Sequence, residues 1–311
     1  MLILKENNFY NIYLKILETL ESTGQIVGKF KSYPGVFFEL TNPCNSLISI
    51  RKNWSWCFVE GVNRLSQKES RNNPGTAYQF RPNWAKKLKN EEEDFEGFCY
   101  SYGDVYNSQL PVIIKRLKKG YSECILNIWD DKYLMTRDLY PRRPCTLTIQ
   151  FMNRNGELDV YVNMRVNDVM NLLPYDVFHH TLLQRYVASE TNLKLGSYFH
   201  FVPEIYYQKK RDVTGSVKNT ITKLIKQDWI FFEDDGSFTK KDVELIDDLI
   251  DLCEVPNYEV SELGINDKEF SSNFAKSYYF AILHAYLKKD KLLDDWSINS
   301  KNLLDFNVIK L

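Results

Sequence analysis

The sequence predicts an α/β protein, a sheet with flanking helices over residues 1–210, followed by an acidic helical extension over residues 211–311. Three observations predict it. First, Thr146 to Met152 alternates, with Leu147, Ile149 and Phe151 on one face. Asn155-Gly156 then supplies the positive φ angles of a tight turn, and Leu158, Val160, Val162 and Met164 alternate on the return, which spells a β-hairpin. Second, apolar residues elsewhere in the first 210 positions recur at helical spacing, so element types alternate along the chain. Third, charge divides unevenly: residues 211–311 hold 13 basic against 19 acidic side chains, leaving 27 against 22 before them, which suggests a boundary near Lys210.

The elements follow in order. Phe9, Ile12, Ile16, Leu17 and Leu20 make an amphipathic helix, Val36-Phe37-Phe38 a strand, Leu110, Ile113, Ile114 and Leu117 a second helix, and Ile125 to Trp129 a strand before the hairpin. Pro174 precedes a helix carrying Phe178, Leu182, Leu183, Tyr186 and Val187, with Gly196 closing the segment. In the extension, Val217 to Ile225, Val243 to Cys253 and Phe270 to Tyr286 carry helical periodicity, with turns at Asp234-Asp235-Gly236 and around Pro256.

Composition narrows the function. The 311 residues are 44% hydrophobic, and 45 of them are aromatic, enough to build a core. Forty basic against 41 acidic side chains leave no bulk charge with which to bind nucleic acid or anionic lipid. Met1 to Lys5 runs into polar Glu6-Asn7-Asn8, which is neither a secretory signal nor a membrane span, so a cytoplasmic protein is expected. The six cysteines, at 44, 57, 99, 124, 145 and 253, show no zinc-ligand spacing. With only four histidines, a metal site is not expected. Cys145 stands apart by context. It follows Pro144, where the first hairpin strand begins, and shares the parity of the apolar face, so its thiol should lie at an edge of the core facing a cavity.

From Arg143 the chain reads Arg-Pro-Cys-Thr-Leu-Thr-Ile-Gln-Phe, then Asn155-Gly156-Glu157-Leu158, Asn163-Met164-Arg165-Val166-Asn167-Asp168 and Leu173-Pro174-Tyr175-Asp176-Val177. Upstream stand Thr41-Asn42-Pro43, Arg51-Lys52-Asn53, Phe58-Val59-Glu60 and Tyr100-Ser101-Tyr102-Gly103; Ile128-Trp129-Asp130 follows. This order and spacing, over roughly residues 9–210, resemble the thymidylate synthase family. The resemblance implies a mixed sheet with flanking helices, a homodimer packed sheet to sheet, a pyrimidine nucleotide substrate and methylenetetrahydrofolate as one-carbon donor.

By the same resemblance, Cys145 is the nucleophile that adds to carbon six of the pyrimidine, Glu60 the general acid/base and Tyr102 a tyrosine of the catalytic pocket. Arg142, Arg143 and Arg165 are candidates to help ionise the thiol, and Arg143, Arg165, Asp168 and Tyr207 fall at substrate-binding positions. Another reading of Glu60 is an ordinary helix-surface carboxylate. Asp176 replaces the asparagine of thymidylate-forming members and matches the pattern of deoxycytidylate hydroxymethylases. A carboxyl group can accept from the amine of cytosine and, when protonated, donate to its ring nitrogen. Its alternative reading is a helix N-cap.

The chain departs from the family at the phosphate and sugar sites. Ser122-Glu123-Cys124 stands where an arginine pair is offered to the partner subunit, Val166 replaces a serine, and only Tyr207 matches the sugar-binding His-x-Tyr pair. The expected function is folate-dependent one-carbon transfer to carbon five of a cytosine nucleotide. The alternatives are the same chemistry on uracil or an unusual nucleotide, and a catalytically silent homologue that binds a nucleotide or a protein.

Overall fold

The structure, a computed structural model, describes residues 1–48, 54–68, 76–83, 100–130, 143–208, 216–226, 236–255 and 270–288. Its centre is a mixed eight-stranded sheet. The strands are β1 (Leu2–Glu6), β2 (Gln25–Val27), β3 (Phe30–Leu40), β4 (Glu123–Asn127), β5 (Thr146–Arg154), β6 (Glu157–Met164), β7 (Asn167–Asp168) and β8 (Lys194–Gln208). The main path runs β1-β3-β8-β6-β5-β4, with β2 on β3 and β7 on β8. β1 lies parallel to β3 and β6 parallel to β8, while the other main-path pairs are antiparallel.

The period of two separates the faces of this sheet. Val36, Phe38 and Leu40 of β3 align with Val202, His200 and Tyr198 of β8, then with Val160 and Val162 of β6 and Ile149 and Phe151 of β5. All of these are buried beneath helices. The other face carries Phe37, Phe199 and Tyr161; Tyr161 and Phe199 stack at 4.3 Å, 4° from parallel, and Phe37 and Phe199 lie 6.1 Å apart. Ile3, Ile125 and Phe201 are exposed on the same sheet.

Seven helices occur among the described residues: α1 (Phe9–Thr23), α2 (Trp54–Leu65), α3 (Tyr102–Lys118), α4 (Leu173–Thr191), α5 (Ser216–Lys226), α6 (Lys240–Glu254) and α7 (Asn273–Lys288). α1 buries the apolar stripe read from the sequence, Phe9, Ile12, Ile16, Leu17 and Leu20, together with Tyr13. α3 begins eight residues before the periodicity does, because Ser101 accepts from the Asp104 N–H and caps a polar first turn. α4 ends at Asn192, which takes the left-handed conformation at φ 55° and donates its N–H to carbonyls of the last turn. Gly196 closes nothing. It lies within β8, where an added Cβ would collide with the Asp159 carboxylate.

The hairpin forms as read, with Asn155 and Gly156 both at positive φ. Its first strand carries an irregularity that the alternation does not show. The β5–β6 register shifts between Thr146 and Thr148, so Thr146 and not Leu147 joins Ile149 and Phe151 on the buried side. Cys145 still reaches the edge of the core, partly exposed and packed against it, but by way of this bulge and not by strand parity.

The three helices expected after Lys210 form, and they share the core of the preceding residues. Tyr10 of α1 donates to the Leu224 carbonyl of α5, Ser66 donates to Asp247 of α6, and the Tyr278 hydroxyl of α7 donates to the Phe58 carbonyl at 2.6 Å. The Tyr278 ring sits 5.0 Å from Phe58, and a Cβ on Gly61 of α2 would lie 2.5 Å from its hydroxyl, so only glycine fits beneath it. The turn residues 234 and 235 and Pro256 lie outside the described residues. Tyr278→Ala is expected to cost about 3–5 kcal/mol in denaturant unfolding. An unchanged midpoint would show that residues 211–311 fold as a separate appendage.

Candidate active site

Most residues expected at the site lie in, or next to, a strand end or a helix. Cys145 immediately precedes β5, Arg165 follows β6, Asp168 closes β7, Asp176 lies in the first turn of α4, Glu60 lies in α2 and Tyr102 opens α3. The backbone holds two of them together, since the Arg165 N–H donates to the Cys145 carbonyl at 2.8 Å.

Cys145 is flanked by a cation that does not suffice to ionise it. Arg165 places Nη2 3.9 Å from Sγ, but its Nε donates to the Pro144 carbonyl at 3.0 Å and its Nη2 also reaches the Arg143 carbonyl at 3.5 Å. Burial outweighs this contact, and with Asp176 and Asp168 nearby the thiol is pushed up to about 11. A thiolate at neutral pH therefore requires a base to take the proton. Arg142 lies outside the described residues, and Arg143 contributes its carbonyl to holding Arg165.

Glu60 is no surface carboxylate. Every residue of α2 from Trp54 to Leu65 is buried, and Glu60 is only 7% exposed. Burial raises its pKa, opposed by Arg64, whose Nε lies 3.0 Å from Oε1 one helical turn later. Arg64 also lies over the Tyr102 ring at 4.2 Å, and its Nη1 is buried without a hydrogen-bond partner. Arg64→Met should cost about 3–5 kcal/mol, because it leaves a buried carboxylate unpaired. The folded pKa of Glu60 lies above the unfolded one, so its burial favours folding below the unfolded value and opposes it as pH rises through the folded value. Removing Arg64 enlarges that loss. Urea unfolding of the variant should therefore show a larger deficit at pH 8 than at pH 4.5, and equal deficits would contradict the pairing.

Asp176 is not the helix cap. Leu172 occupies that position, no side chain caps this end, and the Asp176 N–H is already bonded to the Leu172 carbonyl at 2.9 Å. Its Oδ2 is enclosed and has no hydrogen-bond partner among the described residues. Burial pushes its pKa up to about 7, against the pull of Arg64, a hydrogen bond from Asn167 and Arg81. Burial thus favours the protonated carboxyl far above the usual carboxylate range, with one oxygen left without a partner among the described residues.

Two residues are turned to other work. Both oxygens of Asp168 are engaged, Oδ1 by the N–H groups of Met170 and Asn171 at 3.0 Å and Oδ2 by the Asn171 side chain at 2.8 Å, which shapes the turn into α4. The Tyr207 hydroxyl donates to Glu21 of α1 at 2.9 Å. Its neighbour Tyr206, one residue along the strand, shares the electrostatic surroundings of Asp168, Cys145 and Arg165.

Sequence reasoning missed two cations. Arg64 was findable, four residues after Glu60 on the same helix. Arg81 was not, because only the fold brings it over the Trp56 ring at 4.6 Å and close to Asp176 and Glu60. Among the described residues no group of three or more His, Cys, Asp or Glu is placed to hold a metal, and no helix is long and apolar enough to cross a membrane.

The family model described as thymidylate synthase matches residues 54–251, which contain the whole of this constellation. The chain belongs to the thymidylate synthase family. The matched region runs past Lys210 through α5 and most of α6, further than the motifs alone reach. A thymidylate synthase of Mycoplasma pneumoniae is 29% identical over 110 residues, covering 33% of this chain and 37% of that protein. A putative thymidylate synthase of Methanocaldococcus jannaschii is 26% identical over 136 residues, 42% of this chain and 61% of that one. Across these two curated relatives the chain spans 37% to 61% of their length. Thermostable thymidylate synthase A from Bacillus subtilis superposes with a TM-score of 0.58 at 19% identity, over 73% of this chain and 87% of that one, a likeness of fold.

Proposed function

We propose that this member of the thymidylate synthase family transfers a one-carbon unit to carbon five of a cytosine nucleotide. The observation that carries the base assignment is Asp176, with an enclosed Oδ2 that has no hydrogen-bond partner among the described residues and a pKa raised by burial to about 7. An unsatisfied buried oxygen costs about 1–3 kcal/mol, so the pocket favours a ligand that supplies its partner. Cytosine supplies two: its amine donates to one carboxyl oxygen, and its ring nitrogen accepts from the other when protonated.

Once a base has taken the thiol proton, Cys145 Sγ adds to carbon six, and the electrons of the ring double bond move to carbon five, which forms its new bond to the one-carbon unit. The carbon-five proton passes to a base, and the bond between the transferred carbon and its donor breaks. Water (for a hydroxymethyl product) or a hydride from the folate (for a methyl product) completes that carbon, and Sγ leaves carbon six as the ring double bond is restored. Glu60, held within the buried α2, exchanges protons with the ring, and Tyr102 lines the site where the carbon-five proton departs. This reading gives Tyr206, which shares the surroundings of Asp168, Cys145 and Arg165, to the sugar, and gives Arg165, 3.9 Å from Sγ, with Arg143 to the phosphate.

Methylenetetrahydrofolate, which this family implies, would supply the carbon. Among the described residues the buried indole N–H of Trp56 has no hydrogen-bond partner, a polar group that the edge of the folate ring would satisfy. The aromatic strip Phe37, Phe199 and Tyr161, with exposed Ile3 and Ile125, supports a homodimer joined through the open sheet face.

Tritium release from carbon five tests the reading. Release from a tritiated cytosine mononucleotide that exceeds release from the uracil analogue, and rises with methylenetetrahydrofolate, is the expected result. Release from uracil alone would leave the chemistry standing and remove the base assignment.

A further inference from the structure

A chain of buried polar contacts leads from the site into the core, and the reaction as described uses none of it beyond its first member. The Tyr102 hydroxyl lies 3.3 Å from Thr146 Oγ1, and Thr146 Oγ1 lies 3.4 Å from His180 Nε2. His180 Nδ1 lies 3.3 Å from the Tyr198 hydroxyl, which lies 2.8 Å from His200 Nδ1. Thr146, His180, Tyr198 and His200 are all fully buried, and the His200 ring stacks on Phe38 at 4.8 Å with its Nε2 unpartnered. The chain exists because of the β5 bulge, which turns Thr146, the residue after Cys145, toward α4 instead of leaving that place to Leu147.

We infer that His180, acting through Thr146, is a positioning residue for the Tyr102 hydroxyl, and that Tyr198 and His200 hold His180 in place. Each hydroxyl in the chain has one proton to give, and each neutral imidazole has one donor and one acceptor nitrogen. The direction of any one bond therefore fixes the next. With Tyr102 donating to Thr146, Thr146 donates to His180 Nε2, His180 Nδ1–H to Tyr198, and Tyr198 to His200 Nδ1. Tyr102 then presents only oxygen lone pairs to the pocket, the orientation needed where a proton is to be received. In the reverse order Tyr102 keeps its proton for the pocket. Burial holds His180 well below its usual pKa and His200 at about 3, so the rings stay neutral and the chain sets orientation without storing charge. A plain packing role would need no polar atoms here, and four buried polar side chains are costly to leave without partners.

The inference rests on the proposed carbon-five transfer only for its kinetic consequence, so two measurements separate them. In the ligand-free protein labelled with tyrosine carrying ¹³C at the ring carbon bonded to the hydroxyl, the Tyr102 signal is identified by its loss in Tyr102→Phe. His180→Phe and Thr146→Val should each move that signal, and His180→Gln, whose amide offers both a donor and an acceptor, should restore it in part. A Tyr102 signal unmoved in folded Thr146→Val, which keeps the shape of the side chain, overturns the inference whether or not His180→Phe folds. In turnover, both variants should lower the rate of tritium release tenfold or more while the nucleotide dissociation constant stays within twofold. Unchanged release in both, beside an active parent, also overturns it. An inactive parent overturns the transfer reaction, and the Tyr102 signal still decides the chain of contacts.

Discussion

Cys145→Ser should abolish tritium release from carbon five, a loss on the order of a thousandfold or more, while leaving the fold intact. A serine hydroxyl is far less acidic and less nucleophilic than a thiol. Cys57 is also within electrostatic reach of Glu60, Arg64 and Asp176, but it is wholly buried, and burial pushes its thiol up. Its Sγ lies 3.3 Å from His179, Cys44 and Cys124 are buried at other packing surfaces, and Cys253 lies in α6. Because Cys145 is partly exposed and the substitution nearly conserves shape, unfolding should shift by less than about 1 kcal/mol. Near parental release in this variant would remove the nucleophile assignment.

Asp176→Asn should shift base preference from cytosine toward uracil by one to two orders of magnitude, read as the ratio of dissociation constants for the two mononucleotides. The amide offers a fixed N–H to the uracil carbonyl and an acceptor to its ring N–H, whereas against cytosine donor meets donor or acceptor meets acceptor. Each such buried mismatch costs about 1–3 kcal/mol. The pH dependence gives a second readout. Cytosine binding to the parent should weaken as pH rises through about 7, where Asp176 loses its proton, and the Asn variant should lose that dependence. Stability should fall as well. The folded pKa exceeds the unfolded one, so the contribution of Asp176 to folding is full below the unfolded carboxyl value and is lost as pH rises to about 7, and Asn should raise the melting temperature at pH 8. Since Asp176 caps nothing, no lost cap offsets this gain. An unchanged base ratio with measurable binding would remove the argument for cytosine.

What could be read from the sequence was what local chemistry decides. Asn155-Gly156 forces its turn wherever the strands lie, and the stripes of α1 and α4 need only a core to bury them. The Pro-Cys, Arg-x-x-Asp and Leu-Pro-x-Asp segments singled out Cys145, Arg165 and Asp176, and the fold brings Arg165 within 3.9 Å of the thiol and Asp176 within its electrostatic reach. Pairing decides the rest. The bulge that carries Thr146 under Tyr102 arises from β6 opposite and leaves no mark on the alternation of β5. The adjacent His179 and His180 read from sequence only as a weak argument about metals, and the structure sends them apart, one to Cys57 and one to Thr146 and Tyr198. Tyr206 and Tyr207 differ by one position on β8, and strand geometry turns Tyr207 to Glu21 and Tyr206 toward Asp168 and Cys145. The charge step at Lys210 is real in the sequence, yet Tyr278 and Asp247 reach back into α2 and its end, contacts that composition does not encode.

The most direct test of the account is a covalent one. A 5-fluorocytosine mononucleotide gives no removable proton at carbon five, so with methylenetetrahydrofolate present the reaction should halt with Sγ still bonded to carbon six. Intact mass spectrometry should then show one nucleotide-bearing adduct per chain, located by peptide mapping on Cys145 and absent from Cys145→Ser. No adduct with either the fluorocytosine or the fluorouracil nucleotide, or one located on another cysteine, would contradict the account.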